Sequence, residues 1–148
     1  MPFQLEIVTP ESRIFPTKDA DGRAISGEVD YVLLPGSDGE LGVLPNHVPL
    51  VTALKPGELI YTRSGKSEHL AVGTGFVEIT GGRVSVLTDM ALSEHQIDEK
   101  AVEEALARAQ ERLAGIKHDE ASEEVALVQA MIQKSMAQLH VKRRRRTL

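Results

Sequence analysis

Glu40 and His47 are the residues whose types and placement most suggest chemistry: an acid and an imidazole between Pro35 and Pro49, with Ser37 and Asp38 just upstream. A serine, a histidine and an acid make a nucleophile, its base and an orienting group, but that site needs a strained nucleophile turn. No G-x-S-x-G occurs. Asp38 and Glu40 suggest paired carboxylates, yet a turn acid and a loop acid read as solvated side chains. The five histidines, at 47, 69, 95, 118 and 140, never fall at i, i+4, and the chain has no cysteine, so neither a zinc site nor a disulfide framework is expected. No phosphate-binding glycine loop of the G-x-x-x-x-G-K type is present. An independent enzyme is therefore not expected and no cofactor is called for; taken alone, His47 reads as a surface residue with a structural role in its loop.

The segment that carries them is built to hold a shape. Ser37-Asp38-Gly39 reads as a tight turn, with Gly39 supplying positive φ. Leu41, Val43 and Leu44 form a short strand-like run that stops at Pro45, whose missing N–H cannot join a ladder. Asn46-His47-Val48-Pro49 is a second, proline-stiffened loop, and two loops fixed this firmly predict a surface that meets a partner.

Around that segment the first half of the chain alternates. Phe3, Leu5 and Ile7 share one face. Val29, Tyr31 and Leu33 repeat the pattern, as do Leu70 with Val72, Phe76 with Ile79 after a slip, and Val84 with Val86. Gly or Pro interrupts these runs roughly every eight to twelve residues, which predicts a β-sandwich or barrel over residues 1–92. Ser64-Gly65 and Gly81-Gly82 read as hairpin turns. Lys18 to Gly27 is a lengthened polar loop, which costs little in chain entropy.

After Leu92 the period becomes helical. Ser93-Glu-His-Gln96 has capping-box order and Asp98 is a second N-cap. Ile97, Ala101, Val102, Ala105, Ala109, Leu113 and Ile116 fall near one stripe, and Gly115 is a stop. A short link at Lys117-His118 leads to Asp119 as the next cap. Ala121, Val125, Val128, Ile132, Met136 and Leu139 then form a second stripe. Residues 93–148 thus read as an antiparallel two-helix hairpin. Its alanine-rich stripes bury little area, at about 25 cal/mol per Å², so docking onto the sandwich is expected to be weak. A straightened link would make one rod of roughly 65 Å.

Charge is uneven. Residues 1–92 carry 7 basic and 12 acidic side chains, residues 93–140 carry 5 and 10, and the last eight carry five basic residues, Lys142, Arg143, Arg144, Arg145 and Arg146. An acidic molecule with a basic tip is not a general nucleic-acid binder, whose basic residues spread over a folded face. No apolar run approaches the ~20 residues of a membrane-spanning helix, and Met1-Pro-Phe-Gln lacks the order of a signal peptide.

The 15 residues from Gly36 to Leu50, GSDGELGVLPNHVPL, followed by Thr52-Ala-Leu-Lys-Pro-Gly57, resemble the epsilon subunit of F-type ATP synthases. The likeness extends to Leu5-Glu-Ile-Val-Thr-Pro-Glu11, Gly73-Thr-Gly-Phe-Val-Glu78, Val84-Ser-Val-Leu87 and the two-helix tail. The resemblance implies a non-catalytic rotor-stalk subunit. Its sandwich would grip the gamma shaft with one face and the membrane rotor ring (the c-ring) through Glu40, His47, Val48, Pro49 and Leu50. Its hairpin would restrain ATP hydrolysis, with the basic residues 142–146 reaching the alpha/beta catalytic head. It also implies peripheral attachment, through the complex, to the cytoplasmic face of a bacterial inner membrane. Family members that bind ATP in the hairpin carry I/L-D-x-x-R-A; here Ile97 and Asp98 match, while Ala101 and Val102 replace the Arg and Ala. Losing that Arg removes a charge-assisted phosphate donor. The competing reading from another class is a free-standing β-sandwich adaptor that binds an acidic protein or nucleic acid through its basic tip.

Overall fold

The computed structural model describes residues 1–116 and 122–144. Eleven strands come first: β1 (Phe3–Val8), β2 (Arg13–Phe15), β3 (Glu28–Val29), β4 (Tyr31–Gly36), β5 (Gly39–Val43), β6 (Leu50–Leu54), β7 (Gly57–Arg63), β8 (Lys66–Val72), β9 (Gly75–Thr80), β10 (Arg83–Thr88) and β11 (Ala91–Ser93). A one-turn 3-10 helix (Glu94–Gln96) leads into α1 (Glu99–Ala114) and α2 (Ser122–Arg144). This is the expected all-β unit followed by two helices.

The ladder runs β11-β8-β7-β4-β6-β9-β10-β1-β2, with β3 on β1 and β5 on β4. β4 and β6 meet only at Gly36 and Leu54. There the ladder folds over, so the inward residues of both layers share one core. Leu5, Ile7, Val29, Val32, Leu34, Leu59, Val72, Val77, Val84 and Val86 fill it, each almost completely buried. β1 and β10 pair in parallel, which joins the first strand of the chain to one of the last.

Period-2 alternation is clear in β1, β9 and β10, but it does not carry through Asp30. β3 pairs with β1 and β4 with β7, so the chain changes partner at this residue and its parity flips. Asp30 N donates to Thr62 O, and its Oδ2 accepts from Ser64 N at 3.1 Å. Val32 and Leu34 are therefore inside, and Tyr31 and Leu33 half-buried, contrary to the expected Val29-Tyr31-Leu33 face. Phe76 is likewise corrected: Val77 and Ile79 point inward and Phe76 outward. Ser64 and Gly65 both have positive φ, as a type I′ hairpin demands, and Gly82 supplies it in the next hairpin.

The hairpin covers the outer face of β7 and β8. Ala71 is small and wholly buried there, which lets helix α2 come close. Ile97, Val102, Leu139 and Val141 complete a second apolar cluster with it. α2 buries Val128, Ser135, Ala137, Leu139 and Val141 because it touches both α1 and the sheet, so one stripe does not describe it. Met136 and Ala101, expected in the stripes, are exposed, and Leu106 packs against the cluster instead. The expected link at Lys117-His118, the cap at Asp119 and the stripe residue Ala121 lie outside the described residues.

Candidate functional site

The segment from Gly36 to Leu50 folds as two turns at opposite ends of one edge strand. Gly36 pairs with Gly39 around Ser37-Asp38, and Gly39 has φ +129°. Glu40 follows at the start of β5, exposed, and its side chain has no hydrogen bond or ion pair among the described residues. Among the described residues β5 pairs with β4 alone, which leaves its other edge open. At the far end, Leu44-Pro45-Asn46-His47 closes a β-turn in which His47 N donates to Leu44 O at 3.2 Å. Pro45 presets φ at the second position, and Asn46 takes φ 65° at the third, the arrangement of a type II turn.

His47 Nδ1 lies 2.6 Å from Val48 O, which orients the ring against its own loop. The next side chains then turn outward. Val48 is 70% and Leu44 62% exposed, while Leu50 is partly open. Glu40 and His47 are thus separated by the length of β5, about 14 Å at the usual rise. No serine, histidine and acid come together there. What the loop shows is apolar tips beside an acid and an imidazole, a surface for contact.

A second surface was hidden from the sequence pattern. Ala53 stands opposite Phe76, Phe76 opposite Leu87, and Leu87 opposite Val8. These four form a cross-strand row on the outward face of β6, β9, β10 and β1. Phe76 is 61% and Leu87 56% exposed, and Val51 adds a further open apolar side chain. Aromatic side chains left this open on a sheet face mark a contact surface. The signal that could have found it is the pair Val77 and Ile79, which alternate correctly once Phe76 is given to the other face.

The basic residues at the end of α2 are turned inward. Lys142 Nζ is 3.6 Å from Glu94 Oε1 and donates to Glu94 O at 3.3 Å. Arg143 Nε donates to Glu99 Oε1 at 2.9 Å, and its Nη2 donates to Glu103. Those two carboxylates raise the Arg143 guanidinium above its ordinary value. Arg144 grips Glu58 on β7 with Nε, at 2.8 Å, and Nη2. Arg145 and Arg146 lie outside the described residues.

Ile97 and Asp98 have structural work in the fold. Ile97 is buried in the second cluster, and Asp98 caps α1 by accepting from Ala101 N at 3.2 Å. Among the described residues no group of three His, Asp or Glu is placed to hold a metal, and no helix is long and apolar enough to cross a membrane.

Residues 2–94 match the family model of the ATP synthase delta/epsilon chain beta-sandwich domain, and residues 95–143 that of its long alpha-helix domain. The ATP synthase epsilon chain of Desulforamulus reducens is 43% identical over 130 residues, covering 86% of this chain and 91% of that one. That of Nitratidesulfovibrio vulgaris is 38% identical over 140 residues, covering 95% of each. Among solved structures, a chain of the Euglena gracilis mitochondrial ATP synthase (OSCP, F1 and c-ring) has a similar fold, with a TM-score of 0.72 at 20% identity. The match covers 92% of this chain and 78% of that one.

Proposed function

The chain belongs to the ATP synthase delta/epsilon family, and from that premise we propose that it is a non-catalytic rotor subunit, clamped in the central stalk between two partners. The observation that carries this reading is the pair of separate exposed apolar surfaces on one sandwich: the Ala53-Phe76-Leu87-Val8 row and the loop of Leu44, Val48 and Leu50. A subunit that transmits torque must be held on two sides at once. The row, with Phe76 and Leu87 open at its centre, suits the gamma shaft. The loop, with Glu40 and His47 at the two ends of β5 and Val48, Pro49 and Leu50 projecting, suits the rotor ring. An exposed ion pair at Glu40 would contribute about 1 kcal/mol or less, so its role is registration within a larger contact.

The hairpin has the regulatory role in this proposal. Released from the sandwich, α2 would carry Lys142, Arg143 and Arg144, with Arg145 and Arg146, to acidic surfaces of the alpha/beta catalytic head and restrain ATP hydrolysis. Proton flow would be coupled to ATP synthesis through the sandwich, with the subunit peripheral, at the cytoplasmic face of the membrane, and attached through the complex. Residues 1–92 would serve coupling and 93–148 regulation. Ile97 and Asp98 would build the hairpin and bind no nucleotide, and no cofactor is needed.

The test is reconstitution of the assembled synthase with Phe76→Asp and Val48→Asp variants. Phe76→Asp should abolish incorporation with gamma. Val48→Asp should still join gamma but lose ATP-driven proton pumping while hydrolysis continues. Normal pumping by both variants would overturn the two-surface reading.

A further inference from the structure

Lys142, Arg143 and Arg144 are consecutive, so their side chains leave the α2 axis about 100° apart. Each reaches a different element. Lys142 meets Glu94 on the 3-10 helix, Arg143 meets Glu99 and Glu103 one turn apart on α1, and Arg144 meets Glu58 on β7. Further back, Lys134 pairs with Asp89 in the turn between β10 and β11. The basic end of α2 is therefore seated in an acidic cradle that three separate parts of the chain supply.

These contacts are unequal. Arg143 and Glu103 are both about half exposed, at 49% and 50%, and a pair in that setting contributes little. Glu58 differs, because its side chain is only 10% exposed. It takes two donors from the Arg144 fork and also lies 3.3 Å from His69 Nδ1 and 3.7 Å from His140 Nε2. Two of those three basic partners, His140 and Arg144, sit one turn apart on α2 and the third on β8. A carboxylate this enclosed is costly to leave without its partner, so undocking α2 must also undo Glu58.

We propose that the end of α2 is a clasp keyed on Glu58, which holds the helical hairpin onto the sandwich. The clasp adds an enclosed, charge-assisted contact to the apolar cluster of Ile97, Val102, Leu139 and Val141, and it ties the last two turns of α2 to β7 across 86 residues of sequence. While it is closed, Lys142, Arg143 and Arg144 are occupied within the chain. An acidic surface elsewhere gains them only by displacing Glu58, Glu94, Glu99 and Glu103. The inference concerns the isolated chain and does not depend on the rotor assignment.

Amide hydrogen exchange on the full chain tests it, with Glu58→Gln, Arg144→Gln and the double variant. Loss of a bidentate charge-assisted contact should speed exchange in residues 137–144 by about ten-fold in each single variant, while β9 and β10 exchange as before. The double variant should be no faster than Arg144→Gln alone, because both changes break one interaction. Should Glu58→Gln disturb β7 itself, Arg144→Gln, which substitutes no sandwich residue, decides. Less than two-fold change with Arg144→Gln, or a double variant as fast as the product of the singles, would overturn the clasp. Failure of this result would leave the incorporation and pumping tests of the rotor reading untouched.

Discussion

A β-carbon on Gly75 would lie 1.8 Å from the carbonyl oxygen of Leu87 and 2.8 Å from Thr88 Cα. Gly75 pairs with Thr88 on one side and Leu54 on the other, so the obstructing atoms are backbone held by a ladder and have nowhere to go. Gly75→Ala is expected to cost about 3 kcal/mol, through displacement of β10 from β9. Gly81, where an added carbon meets nothing within 4 Å, is the control: Gly81→Ala should stay within about 0.5 kcal/mol of the parent. Urea unfolding of the three proteins reads the difference, and equal midpoints would refute the steric account.

The turn that presents His47 rests on Asn46 at φ 65°. Asn tolerates that region, Gly tolerates it better, and a β-branched residue does not. Asn46→Gly should keep full stability and partner binding. Asn46→Val should cost about 1–2 kcal/mol and swing Val48 away, so, if the proposed contact with the rotor ring holds, binding there should fall more than stability alone explains. Parallel titration of stability and complex formation separates the two effects.

Much of this architecture was legible because it is local. The inward sets Phe3-Leu5-Ile7 and Val84-Val86, the caps at Ser93 and Asp98, and the stop at Gly115 depend on neighbours within a few residues. Misreadings occur where a distant contact decides the face. Asp30 flips parity because β3 and β4 belong to different partners. Phe76 lies outward because Val77 and Ile79 are needed inside. Met136 is exposed because α2 is gripped by Ser135, Ala137 and Leu139 from two directions. The acids that hold the tail are 40 to 86 residues from their partners, a distance that no window along the chain spans.

Asp98 offers a sharp choice between capping and ligand binding. Its carboxylate accepts from Ala101 N, and the next residues begin α1. Asp98→Ala should cost about 1 kcal/mol, whereas Asp98→Ser, which can cap, should recover most of it. Calorimetry with ATP should show no heat of binding for either variant or the parent. Saturable binding that Asp98→Ser abolishes would reassign the residue to a nucleotide site.

Tyr61 gives the fold a predictable response to alkali. Burial raises its phenol above 10.0, the Glu68 carboxylate adds to the rise, and Arg63 opposes both. The ring lies tilted at 42° against Phe15 with centroids 4.6 Å apart, and it packs against the core. The unfolded phenol ionises first, at about pH 10, so above that pH the unfolded state binds fewer protons than the native one. Stability from this group is then complete below about pH 10 and lost as pH rises through the higher folded value. Tyr61→Phe keeps the ring and deletes the proton. The difference in unfolding free energy between parent and Tyr61→Phe should be flat from neutral pH to about pH 9.5, then shift against the parent. Lysines titrate equally in both proteins and cancel in that difference. A difference that stayed level to about pH 11 would mean the folded phenol ionises as freely as the unfolded one, and that its burial imposes no constraint.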